Sequence, residues 1–260
     1  MPPLTSSEIA GWVGGFVWPL FRIAAMLSVA PVIGARSLPR RVRAALALVL
    51  TAVTVPLLPP GPQVEPMSPA GILIGVQQVL IGLYIGFALR LAFAALETGG
   101  QMISTQMGLG YASLIDPQNG ASTPLLAQFY GLLGMLIFLG LDGHLLLIET
   151  VVESFHLLPV STDGLALQRW RELADAGAMI FAGAVKFALP AMASLLVVNL
   201  AFGIMTRAAP QLNIFAVGLP VTLLLGLAIL LYSLPALAPE FRRLIDAAFL
   251  LVHRALAAGG

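Results

Sequence analysis

Long apolar runs separated by short polar intervals organise this chain. Six runs, at 13–33, 44–58, 71–96, 125–141, 178–202 and 214–234, are read as membrane helices. A helix needs about 20 apolar residues to cross the ~30 Å hydrocarbon core. The second and fourth runs are short by that measure, as expected of helices held inside protein or entering the bilayer obliquely. A further run at 145–158 continues the fourth beyond a break at Asp142 and Gly143. In the tail, "EFRRLIDAAFLLVHRALA", Phe241, Leu244, Ile245, Ala248, Val252 and Ala255 recur at helical spacing, and Arg243, Asp246, His253 and Arg254 gather elsewhere. That pattern predicts a C-terminal amphipathic helix, suited to a bilayer surface or to a partner's helices. The predicted fold is an all-α membrane protein of about six long apolar helices, several of them broken or kinked.

Composition agrees. Of 260 residues, 59% are hydrophobic and 10% charged, against about 25% charged in soluble domains, and the mean hydropathy is +0.97. A net charge of +1 with no basic patch offers nothing for nucleic acid, whose phosphates need clustered cations. Cys is absent, which removes disulfides and thiolate chemistry. The start, "MPPLTSSEIAGW", has no basic n-region, so the first apolar run reads as a retained helix rather than a signal peptide. His-Glu-x-x-His, Gly-x-Ser-x-Gly and P-loop signatures are missing, and nothing else in the sequence points to an enzyme or a cofactor.

Basic residues set the orientation, since cytoplasmic loops carry the excess of Lys and Arg. Arg36, Arg40, Arg41 and Arg43 cluster in "ARSLPRRVR", which places that short loop in the cytoplasm. The interval "PPGPQVEPMSP" has no basic residue and falls outside. Counting on, 142–177 is outside and 206–213, with Arg207, inside. The tail then comes out external although it carries Arg242, Arg243 and Arg254.

Charges within the apolar runs need partners. Arg22, Arg90 and Lys186 each lie inside one, where insertion scales assign about 2.5–3.5 kcal/mol to a charge at the helix centre. Arg90 can pair with Glu97 or snorkel. Arg22 needs an acceptor from another helix, another chain or a water-filled cavity. Candidate acceptors lie in "LDGHLLLIETVVESFHLLP", where Asp142, Glu149, Glu153 and His156 share one helix face by spacing. Glu153 and His156 form a Glu-x-x-His unit, but di-iron bundles require two such units and two further Glu. The chain has one. No metal site is therefore assigned. A polar stripe that pairs with basic residues or faces water is the simpler reading, and a proton or ion path is the other.

The stretch "QMGLGYASLIDPQNGASTP", 106–124, interrupts the apolar pattern with Gly, Ser, Asn and Pro and a single charge, Asp116. One reading is an ordinary surface loop. The other is irregular backbone at membrane depth, which is tolerated only inside protein or beside water.

Four blocks, in order, resemble the FliR family, core membrane subunits of the flagellar type III export apparatus with relatives in virulence secretion systems. They are "FRIAAMLSVAPVIGARSLPRRVRAALAL", "QMGLGYASLIDPQNGASTPLLAQF", "LDGHLLLIETVVESFHLLP" and "MTRAAPQLNIFAVGLPVTLLLG". The flagellar branch, rather than the virulence one, is indicated by Asp116-Pro117 and by the 209–213 block. The resemblance implies a non-enzymatic subunit of the bacterial inner membrane, in the flagellar basal body. It would join FliP-like and FliQ-like chains around an export pore for unfolded proteins, with FlhB-like and FlhA-like components nearby. It further implies that 1–177 is a FliP-like portion and that 178–260 holds a FliQ-like hairpin followed by the amphipathic helix. The hairpin's cytoplasmic tip would include Arg207, Pro210, Gln211 and Asn213. Residues 106–117 would be a re-entrant or pore-facing plug, with Met107, Leu109, Tyr111, Leu114 and Ile115 as apolar blockers, Gly108 and Gly110 as bending points, and Asp116-Pro117 closing it. Gly110 and Tyr111 stand where the family usually has Ser and Phe, so the aromatic seal differs. Arg22, Glu149, Glu153 and Lys186 would be the intramembrane charges that pair subunits. A secondary transporter with discontinuous helices is the competing class, but no inverted repeat is visible in the sequence.

Overall fold

The apolar runs become helices, and three of them are much longer than the sequence pattern predicts. A computed structural model of the chain describes residues 6–34, 38–109, 125–208 and 214–257. The helices are α1 (Ser6–Val29), α2 (Arg40–Thr54), α3 (Pro69–Gln106), α4 (Leu125–Gly140), α5 (Gly143–Leu157), α6 (Leu167–Asp175), α7 (Ala178–Ala208) and α8 (Ile214–Ala257), with a 3-10 turn at Val55–Leu57. No strand occurs among the described residues. α3, α7 and α8 are long and apolar enough to cross a membrane, and α4 with α5 forms a bent pair that passes the same test together. The architecture is that of an all-helical membrane protein.

Several differences from the predicted elements have local causes. α3 continues ten residues past Leu96 because Gly99 and Gly100 are packing sites rather than breaks. A Cβ on Gly99 would meet Phe187 and the carbonyl of Ala184, and one on Gly100 would meet Tyr130 and the carbonyl of Leu126. Glu97 thus lies well inside α3, not at its end. The amphipathic tail is no separate helix. α8 runs 44 residues through Pro220, Pro235 and Pro239, and all three prolines are exposed. A proline ring turned outward costs the helix a backbone hydrogen bond and a bend, but it leaves the buried face unbroken. Arg40, Arg41 and Arg43 belong to the first turn of α2 rather than to a loop, and α6, unpredicted, fills part of the interval before α7.

The chain packs as two compact units, each assembled from separate stretches. The first comprises 1–91, 138–176 and 246–260. Within it α1 packs on α2, on the 3-10 turn and on α5. The first part of α3 crosses α1 so closely that a Cβ on Gly82 would run into the carbonyl of Arg22, and one on Gly86 would approach that of Met26. Trp18 Nε1 donates to the carbonyl of Gly71 at 3.2 Å. Tyr84 meets Trp170 edge-to-face at 5.5 Å, which fixes α6. The break before α5 is made by Asp142 in the left-handed region, φ 55°, a conformation that Asp tolerates better than most residues.

The second unit comprises 92–137 and 177–245. Aromatic pairs brace its largely aliphatic core. Phe93 meets Phe241 edge-to-face at 5.0 Å, Tyr130 meets Phe187 in the same way at 4.8 Å, and a Cβ on Gly134 would touch Leu96 and Phe241. Such pairs contribute about 0.5–1.5 kcal/mol each beyond the area they bury.

Candidate functional site

α3 ends where the predicted plug begins. Gly108, at φ 81°, takes the left-handed position just past the helix. Its N–H bonds the carbonyl of Thr105 at 3.1 Å, and the Leu109 N–H bonds that of Ser104 at 3.1 Å. These two bonds make a Schellman motif, in which glycine avoids the Cβ clash of a left-handed residue. The start of the segment is also anchored from outside. Met107 is 1% exposed and lies against Gly226 of α8, where an added Cβ would overlap the thioether. Asn199 Nδ2 of α7 donates to the carbonyl of Gln106 at 3.4 Å. Gly110, Tyr111, Leu114, Ile115, Asp116 and Pro117 lie outside the described residues, as do Pro210, Gln211 and Asn213 of the predicted hairpin tip. Arg207 stands exposed in the last turn of α7.

Arg22 finds its acceptors within the chain, in the predicted segment but on different atoms. It is fully buried. Its Nε donates to Gln78 Oε1 at 2.8 Å, Nη1 to the Ser154 carbonyl at 2.8 Å and to Ser154 Oγ at 3.0 Å, and Nη2 to the Leu158 carbonyl at 2.9 Å. The guanidinium also lies 4.1 Å from the centroid of the Phe155 ring. The two carbonyls end α5, where the helix dipole is negative and a cation is favoured. Helix-end carbonyls, one amide and one hydroxyl, rather than Glu149 or Glu153, therefore surround the charge. Gln78 and Ser154 had not stood out in the sequence. A Gln pair within the apolar run at 77–78 was the available signal.

Glu149, Glu153 and His156 do share a face of α5 and line one notch with Val152, but Asp142 precedes the helix. Glu153 Oε2 lies 3.5 Å from His253 Nε2 on α8, both side chains being more than two-fifths exposed. Among the described residues no group of three His, Asp or Glu side chains could hold a metal ion. In the second unit Lys186 Nζ pairs with Glu240 Oε1 at 2.8 Å, and Arg243 Nη1 with Glu240 Oε2 at 2.9 Å. Glu240, a lone acid after Pro239, was not predicted to matter.

The chain carries a hydrogen-bonded buried cation in its first unit, an anchored helix end in its second and ion pairs in both. Known proteins match it over nearly its whole length. The sequence profile of the bacterial export proteins, family 1, matches residues 13–248. The flagellar biosynthetic protein FliR of Escherichia coli (strain K12) is 39% identical over 249 residues, covering 96% of this chain and 95% of its own. FliR of Caulobacter vibrioides is 33% identical, covering 86% of this chain and 92% of its own, and that of Bacillus subtilis (strain 168) is 31% identical, covering 83% and 84%. The chain belongs to the bacterial export proteins, family 1, the family of the flagellar FliR proteins.

Proposed function

We propose that this chain is a non-enzymatic subunit of the flagellar protein export gate in the bacterial inner membrane. In this reading it assembles with FliP-like and FliQ-like chains, near FlhB-like and FlhA-like components, and lines the route taken by unfolded substrates. The observation that carries it is a match to a family of export proteins over residues 13–248 of a chain built of apolar helices. The division into a FliP-like portion, 1–177, and a FliQ-like hairpin within 178–260 belongs to the same reading, as does a subunit-pairing role for Glu149 and Glu153, whereas Arg22 and Lys186 meet acceptors of their own chain. Segment 106–117 closes the resting pore. The Schellman end of α3 and the seating of Met107 on Gly226 support this, because a closure needs a fixed base.

Narrow apolar constrictions hold back ions partly by dewetting, so polarity in the segment matters as well as bulk. The double variant Tyr111→Asp/Leu114→Asp should leak a small dye into cells expressing the assembled complex more than Tyr111→Ala/Leu114→Ala does. A double-Asp variant that assembles and leaves the membrane as tight as wild type would remove the plug. Purification separates the wider reading from a transporter: an export-gate subunit comes out with other membrane chains, whereas a transporter comes out alone or as a homodimer.

A further inference from the structure

One face of α7 carries an exposed line of residues that begins and ends on a cation. Lys186, Leu189, Ala193, Val197, Leu200, Ile204 and Arg207 follow one another three or four positions apart, and every one is exposed. Leu189, Val197, Leu200 and Ile204 each present more than half of their surface. From Lys186 to Arg207 the helix rises about 31 Å at about 1.5 Å per residue, which matches the ~30 Å hydrocarbon thickness. Lys186 and Arg207 therefore bracket an aliphatic band of about one hydrocarbon thickness, with Phe181 and Val185 also exposed beyond Lys186. Backbone chemistry agrees. Pro190 has no N–H to give the Lys186 carbonyl, and a carbonyl without its helical donor is best placed where water reaches it.

At the Lys186 end two cations converge on one carboxylate. Lys186 is 62% and Arg243 70% exposed in their side chains, and Glu240 between them only 18%. The trio keeps one net positive charge and turns its cationic ends outward, above apolar side chains. Lys186 and Arg243 each bond one oxygen of the same Glu240 carboxylate, which holds the two cations to one place on the surface.

We propose that Lys186 and Arg243, held together by Glu240, bind the headgroup of an anionic phospholipid whose acyl chains lie along the Leu189–Ala193–Val197 face of α7. The charge complements a phosphodiester, and the band below is as long and as apolar as a lipid chain requires. The site rests on the membrane character of the chain and not on its place in an export gate.

Native mass spectrometry of the chain, purified and exchanged into an equimolar mixture of phosphatidylglycerol and phosphatidylcholine, tests it. Wild type should retain phosphatidylglycerol preferentially. Lys186→Gln/Arg243→Gln should lower the ratio of retained phosphatidylglycerol to phosphatidylcholine about thirtyfold, the effect of two charges at an anionic surface. Lys186→Arg/Arg243→Lys, which preserves charge, should keep the ratio. Both cations are exposed, and circular dichroism confirms that the variants remain folded. Equal retention of the two lipids by wild type, or an unchanged ratio in the Gln variant, overturns the proposal. So does a Gln variant that keeps its lipids but loses a co-purifying membrane chain, because the cations would then be meeting a carboxylate of that chain.

Discussion

Arg22 is held by four hydrogen bonds to neutral acceptors, with no exposed surface. Two of those acceptors are carbonyls at the end of α5, so the charge doubles as a helix cap. The planar guanidinium suits this position because its donors are fixed in a fork. Replacing it leaves several buried acceptors unpaired, at about 1–3 kcal/mol each. Arg22→Met should therefore destabilise the chain in detergent by at least about 3 kcal/mol by the same reckoning. Arg22→Lys should cost less, since one ammonium can still reach some of the acceptors. Ser154→Ala should cost about 1 kcal/mol, as it removes a hydroxyl and leaves the carbonyl bond in place. Denaturant unfolding followed by circular dichroism gives the order, and an Arg22→Met midpoint equal to wild type would show that the fork does not hold α5. The sequence revealed that Arg22 needed partners, because a cation in an apolar run always does. It could not reveal which partners, because backbone carbonyls more than 130 residues away carry no residue-type signature.

At the scale of elements, periodicity marked the helices well and composition marked their ends poorly. Runs of apolar residues placed all the long helices. The apolar runs at 71–96 and 214–234 stop short of Gly99, Gly100, Pro235 and Pro239, yet α3 and α8 pass through them. Glycine stops a helix only when nothing repays its freedom, and at Gly99 and Gly100 close packing does so. α6 escaped notice because it is nine residues long and polar. The same packing logic separates glycines that look alike in sequence. Gly82 sits where α3 crosses α1, and its missing Cβ leaves room for the Arg22 carbonyl and Ala25. Gly203 on α7 has nothing within 4 Å of an added Cβ. Gly82→Ala should cost about 1–3 kcal/mol through overpacking against backbone that cannot yield. Gly203→Ala should be neutral or stabilising by up to about 1 kcal/mol through helix propensity. Thermal unfolding of the two purified variants distinguishes them, and equal midpoints would mean that the α1–α3 crossing can open to admit a methyl group.

At the scale of the molecule, the first unit orders its ends in a way that can be read from outside the cell. α1 and α2 lie antiparallel. At one end a Cβ on Gly11 would meet Gln63, Trp18 bonds Gly71, and Gly14 and Gly15 share a cavity with Leu58, Pro59 and Pro60. At the other end Arg43 Nε bonds the Ile33 carbonyl at 3.2 Å. Ser37, outside the described residues, precedes α2 in the sequence, and Val64 follows the 3-10 turn at its other end. α2 has 15 residues, too few to cross the hydrocarbon core alone by the usual count, but the 3-10 turn extends it and α1 shields one side. Arg36, Arg40, Arg41 and Arg43 flank Ser37 in the sequence, and cations near a short loop hold it in the cytoplasm. With no native Cys, single cysteines can be labelled without background. Ser37→Cys should react with an impermeant maleimide only after the cytoplasmic face is opened, and Val64→Cys should react from outside in intact spheroplasts. Reversed labelling would invert the orientation. Labelling of both positions from one side would show that the α1–α2 hairpin does not cross the membrane, and the short second helix would then be a surface element rather than a span.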